Sequence, residues 1–146
     1  MRVKASDERQ YLENVFDKLG FSEKDGKLLA DTLVDADLRG ISSHGIQRLA
    51  WYRRMIKDGT IVPTKQPKVV RELPGTVLVD ANQNMGQIAA NLAMDKVIEK
   101  AKKVGVGIAV VRNSNHFGIA GYYARKALDA GLVGIALTNT RPLVVP

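Results

Sequence analysis

The apolar residues of this chain recur at helical spacing as far as about residue 60, then change to short unbroken runs separated by helical stretches. In the first part, Leu12, Val15, Phe16 and Leu19 share one stripe, with Ser6 as the expected cap and Gly20 as the expected stop. Leu29, Leu33 and Ala36 mark a second helix, opened by Ser22 and closed by Gly40. Ile46, Leu49, Ala50 and Met55 mark a third, opened by Ser42 or Ser43 and closed by Gly59. Two prolines within residues 61–67 separate this block from the rest.

Beyond the prolines, Val69-Val70 and Thr76-Val77-Leu78-Val79 flank the turn-forming pair Pro74-Gly75, which predicts a hairpin. Residues 86–103 read as a long helix with Ile88, Leu92, Val97, Ile98 and Ala101 inward. The run 106–111 reads as a strand buried on both faces, 118–130 as a helix, and 133–137 as another buried strand. This alternation predicts parallel neighbours in an α/β fold. A helical region at 1–60 would precede, at 68–146, the first part of a three-layer α/β/α mixed sheet. The chain stops just past its last apolar run, with nothing to close a crossover, so we expect it to be a piece of a longer protein.

Composition narrows the function classes. With 45% hydrophobic and 25% charged residues, the chain suits a folded domain with a core. No stretch approaches the ~20 apolar residues of a membrane span, and the start turns polar too early for a secretory signal. Zero cysteines removes disulfides, thiol nucleophiles and cysteine-ligated zinc, and is compatible with a cytoplasmic location. The net charge of +7 raises the question of nucleic acid. Its densest patch, Lys96, Lys100, Lys102 and Lys103, falls on one side of the long helix without interleaved aromatics. It reads as a solvated face, and we expect neither nucleic-acid nor membrane partners.

Three polar clusters can carry chemistry. In Ser42-Ser43-His44-Gly45-Ile46-Gln47-Arg48, a histidine at a helix start is disfavoured in its protonated form, and Arg48 follows one turn later. A guanidinium there can grip a carboxylate with two parallel bonds beside a proton donor, as reduction of a 2-oxo acid requires. A capping serine, a surface histidine and a solvated arginine explain the same spacing equally well. In Arg112-Asn113-Ser114-Asn115-His116-Phe117-Gly118, four polar residues crowd a strand-to-helix turn, where open α/β sheets collect ligands. His116 there suits an acid/base or a cofactor-orienting group, although an exposed helix entrance would look similar. The third, Thr138-Asn139-Thr140-Arg141-Pro142, follows the next apolar run and is equally readable as a plain turn.

Several signatures are missing. Gly105-Val106-Gly107 precedes a strand and lacks a third glycine, so there is no Rossmann fingerprint. No phosphate-binding P-loop or nucleophile elbow occurs, and the histidines and carboxylates form no recognisable metal box.

The run from Asp37 to Arg48, Ala93-Met94, the run from Val111 to Gly118, and Gly121-Tyr122-Tyr123 resemble the non-Rossmann malate/L-lactate dehydrogenase family. That family includes L-sulfolactate, ureidoglycolate, 2,3-diketo-L-gulonate and cyclic imino-acid oxidoreductases. The resemblance runs along essentially the whole chain and implies an L-sulfolactate dehydrogenase-like fold. It implies NAD or NADP as cofactor, a small 2-hydroxy or 2-oxo acid as substrate, and a homodimer. It also implies roles: Ser43 and His44 as a serine–histidine pair, Arg48 facing the substrate acid group, and His116 as acid/base. His116, Phe117, Gly118, Ile119, Ala120 and Thr140 would lie near the cofactor. Family members are more than twice as long, and their later motifs have no counterpart here. We therefore expect the isolated chain to be catalytically incompetent, with a non-catalytic dimerisation or binding module as the competing reading.

Overall fold

The computed structural model describes residues 3–139. Helix α1 (Ala5–Lys18) packs on α2 (Glu23–Leu38) through Leu12, Phe16, Leu29 and Leu33, all fully buried. Each such side chain contributes about 1.5–3 kcal/mol by leaving water. Ser22 caps α2 by accepting the Asp25 N–H, as expected. Ser6 does not cap α1: the helix has already begun, Lys4 occupies the cap position, and the Ser6 hydroxyl turns to Asp7 instead. Gly20, Gly40 and Gly59 all adopt left-handed φ just past helix ends, where a side chain would be strained.

The third helix differs from expectation. Residues Ser42–His44 and Ile46–Arg48 form two separate 3-10 turns, and α3 (Leu49–Lys57) starts only afterwards. The cause is the Asp37 carboxylate at the end of α2, which accepts the Ile46 N–H at 2.6 Å and so bends the chain at Gly45.

Strands β1 (Lys68–Glu72) and β2 (Thr76–Asp80) form the antiparallel hairpin around Pro74-Gly75, with a bulge between Val69 and Arg71. Helix α4 (Gly86–Val104) then crosses to β3 (Ile108–Arg112), which pairs parallel to β2 with Asp80 opposite Arg112. Sheet order is β1-β2-β3, with α4 against β2 and β3. Met85 and Ile88 at the start of α4 join the core of the helical block, alongside Tyr52 and Ile61. Helix α5 (Ala120–Asp129) is tied to α2 by Tyr122 donating to Asp31 and by Arg125 to Asp35.

Three expectations need correction. Strand β3 is not buried on both faces: Ala109 and Val111 face the core, whereas Ile108 and Val110 are 56% and 58% exposed. Residues 133–137 make no strand among the described residues, and Val133, Ile135 and Leu137 stand 75–93% exposed. In both segments the apolar run is real, but no partner covers its outer side among the described residues. Lys100 is not on a solvated face. It is buried, with its ammonium on the Leu73 carbonyl at 2.7 Å and on Glu72 at 2.9 Å, locking α4 to the hairpin turn. No helix among the described residues is long and apolar enough to cross a membrane.

Candidate active site

Two loops far apart in sequence meet beside the first turn of α3. The first carries Ser43, His44 and Arg48 on its paired 3-10 turns. Its shape depends on Gly45, because an added Cβ would fall 2.0 Å from the Asp37 carboxylate. Asp37 in turn lies against Glu8 of α1, whose carboxyl is pushed up by burial and by a hydrogen bond with Asp37.

The second loop carries His116 between β3 and α5. Asp80, at the end of β2, organises its start by accepting from the Asn82 N–H, Arg112 Nε and Asn113 Nδ2, each at 2.9 Å. These donors, the Asn82 N–H foremost, hold its carboxyl below the ordinary aspartate range against the opposing effect of burial. Asn115 then bonds the carbonyls of Thr60, Gln83 and Asn84. Gly86 lets the loop rest on the start of α4: a Cβ there would meet the Asn115 carbonyl at 2.2 Å and the His116 carbonyl at 2.7 Å. The Gly86 N–H donates to the His116 carbonyl at 3.1 Å.

The histidine rings meet with centroids 5.2 Å apart and planes 30° from parallel. His44 Nδ1 lies 2.9 Å from the Ser43 hydroxyl. Arg48 donates through Nε to the Ser43 carbonyl at 2.6 Å and lies over the Trp51 ring, its centre 5.4 Å from the ring centroid. Its two terminal amino groups make no hydrogen bond among the described residues, so the fork is free for an anion. Trp51 sets its ring edge-to-face against His116 at 5.5 Å.

Nδ1 of His116 receives the Gly118 N–H at 3.3 Å and lies 2.7 Å from the Tyr52 hydroxyl. An acceptor of one N–H is unprotonated, so Tyr52 donates to it and the ring proton sits on Nε2. Tyr52, fully buried, also accepts from the Gln87 amide at 3.0 Å. Burial pushes the Tyr52 hydroxyl up to about 12, against the opposing effects of Gln87 and Arg48, so it stays a donor. His116 is depressed to about 4, first by burial, then by the Arg48 and His44 charges. His44 is lowered by burial and by Arg48, not by a helix terminus as the sequence suggested.

The structure therefore brings Ser43, His44, Arg48 and His116 together. Phe117 stacks on Tyr123 at 5.3 Å and its carbonyl accepts the Tyr123 hydroxyl. Gly118 and Ile119 are buried, while Phe117 and Ala120 are half-buried. Thr140 lies outside the described residues. Trp51, Tyr52, Asp80 and Gln87 were missed from sequence: each sits inside a regular element, where it reads as ordinary filling. No group of three or more potential ligands for a metal occurs among the described residues.

This architecture is shared with solved dehydrogenases. Malate dehydrogenase from Pyrococcus horikoshii OT3 matches with a TM-score of 0.87 at 44% identity, over 90% of this chain and 38% of that one. Sulfolactate dehydrogenase from Methanocaldococcus jannaschii matches with a TM-score of 0.86 at 44% identity, over 88% and 38%. The chain belongs to the malate/L-lactate dehydrogenase family, whose family model matches residues 3–146. Among curated relatives, malate dehydrogenase of Pyrococcus abyssi is 47% identical over 100% of this chain and 40% of its own length. Ureidoglycolate dehydrogenase (NAD(+)) of Escherichia coli O157:H7 is 30% identical over 100% of this chain and 42% of its own. The chain thus spans about 40% of the length of the curated relatives it matches.

Proposed function

We propose that this sequence forms the proton-handling and carboxylate-gripping half of an oxidoreductase acting on a small 2-hydroxy or 2-oxo acid with NAD or NADP. The observation that carries this reading is the convergence of two imidazoles and a free guanidinium fork in one site. In the oxidising direction, the substrate hydroxyl gives its proton to a histidine while the C2 hydrogen leaves with its electron pair. The nicotinamide, when bound, accepts that hydride. Arg48 holds the substrate carboxylate, with Ser43 orienting His44. His116 Nε2, unbonded among the described residues, faces the reacting oxygen or the cofactor amide. The half-buried His116, Phe117 and Ala120 suit the nicotinamide end, with buried Gly118 and Ile119 shaping the loop. Thr140 extends the cofactor site on the family resemblance alone, as do homodimer assembly and a cytoplasmic location.

Substrate charge is part of the chemistry. Burial first, and then the Arg48 charge beside them, disfavours the protonated form of both histidines. An arriving carboxylate cancels that charge and lets a histidine take up a proton. A polypeptide carrying this sequence, given NADH or NADPH and a panel of 2-oxo acids, should lose absorbance at the reduced-nicotinamide band. Absence of turnover with every acid by a polypeptide as long as the relatives would overturn the proposal. The 146-residue chain alone is expected to be inactive, and robust turnover by it would refute that part.

A further inference from the structure

One buried polar atom at this site has no partner. Gln87 is fully enclosed in the first turn of α4; its amide nitrogen bonds Tyr52, but its Oε1 has no hydrogen bond among the described residues. Leaving a buried carbonyl unpaired costs on the order of a hydrogen bond or more. Packing alone does not account for an amide here, since an apolar side chain of the same size would leave no orphan.

We propose that Gln87 is a positioning residue: through Tyr52, the orientation of its side-chain amide decides which ring nitrogen of His116 carries the proton. This rests on the proton-handling role given to His116 above. Two polarities of the same chain are possible, because an amide and a hydroxyl can each donate or accept. With the amide N–H toward Tyr52, the hydroxyl donates to Nδ1, and neutral His116 holds its proton on Nε2. It then serves only as a hydrogen-bond donor to a substrate or cofactor oxygen. With the amide turned over, Oε1 accepts the Tyr52 O–H, and the Tyr52 oxygen accepts Nδ1–H.

The second polarity suits both the imidazolium and the neutral ring with a bare Nε2. A proton can then pass between Nε2 and the substrate hydroxyl without rearranging the buried chain, and the weak Gly118 N–H contact to Nδ1 is released. The orphaned Oε1 is the acceptor that this working state uses. The charged and titratable groups acting on the ring are His44 and Arg48 from the paired turns and Tyr52 from α3, and all three remain in place in both states. Gln87 is held in register by its neighbour Gly86, which bonds the carbonyl of His116 itself.

The test reads the ring nitrogens of His116 by 15N-resolved NMR across a pH titration of the protein, with no need for turnover. The parent should show the Nε2–H tautomer near neutrality. Gln87→Glu, whose carboxylate once ionised can only accept, should move the population to Nδ1–H and raise the His116 midpoint by about one unit or more, read above the pH at which the new carboxyl ionises. An unchanged tautomer and midpoint in a Gln87→Glu protein with the parent's amide spectrum would overturn the proposal. Should that variant fail to fold, Tyr52→Phe decides: a tautomer population or midpoint of His116 moved from the parent's supports the relay, and both unchanged refute it, because the Gly118 N–H would then hold the ring by itself. Because the readout is protonation, a failed relay and a failed dehydrogenase assignment are distinguishable.

Discussion

Tyr52 and His116 are joined by a 2.7 Å hydrogen bond that links α3 to the loop after β3, and this bond connects the His116 loop to the protein core. Tyr52 is fully buried, so the imidazole inherits a fixed orientation from the packing of the helical block. Its consequences for protonation can be measured.

The first concerns pH and stability. His116 titrates at about 4 in the fold, against an ordinary value of 6.5. Between those values the unfolded chain binds the extra proton and the folded chain does not, so stability rises with pH across this window. Below it, the penalty is complete. His44, shifted the same way, adds to the slope. Thermal melts from pH 7 down to about 4 should show the midpoint falling, and His116→Gln should flatten that fall. A parent profile as flat as the variant's would contradict this.

Arg48 sets a second expectation. Its charge lowers both histidines, so Arg48→Met should raise both titration midpoints, as read by NMR. In a catalytically complete polypeptide, loss of the fork should cost roughly 10–100-fold in kcat/KM, corresponding to about 1.5–3 kcal/mol. Arg48→Lys should restore the histidine midpoints but not the two-bonded grip.

Gly86 gives a third. An alanine there must displace the Asn115 and His116 carbonyls, which are backbone atoms and cannot swing aside. Gly86→Ala should destabilise by about 1–3 kcal/mol in chemical denaturation and disturb the His116 signals. Gly105→Ala is the contrast: nothing lies within 4 Å of its Cβ, and only the left-handed φ of 84° opposes it. It should cost about 1 kcal/mol and leave His116 untouched.

Asp80 gives a fourth. Its carboxylate is held below the ordinary range, so its contribution is present above the unfolded value and is lost as pH falls through the folded one. Asp80→Asn keeps the shape but removes the charge that orients Arg112 and Asn113. We expect a lower denaturation midpoint at neutral pH, with line broadening at His116. Unchanged stability at pH 7 would show that the loop does not depend on this anchor.

What could be read from sequence was what depends on near neighbours. Ser22 capping α2, the left-handed glycines after α1, α2 and α3, and the Pro74-Gly75 hairpin all follow from interactions within a few residues, which the order of residues already contains. Parallel neighbours were expected between the runs at 106–111 and 133–137; the parallel pair among the described residues is instead β2 with β3, which the crossover helix α4 joins. The paired motifs around His44 and His116 pointed to one family, and the comparisons support that membership.

Spacing alone left His44 and Arg48 open to a bland reading, since it could not say what stood beside them. Contacts between distant segments decided that. Asp37 took the Ile46 N–H and turned an expected helix start into two tight turns. Lys100 left the solvated face it was expected to occupy because the Leu73 carbonyl and Glu72 were waiting across the hairpin. The runs at 108–112 and 133–137 were apolar as written, yet burial requires a covering partner, and composition cannot specify one. The sequence by itself determined local geometry and the inventory of reactive groups. Only the tertiary structure decided which of those groups meet, because hydrogen bonds such as Gln87–Tyr52–His116 exist only after separate elements have packed.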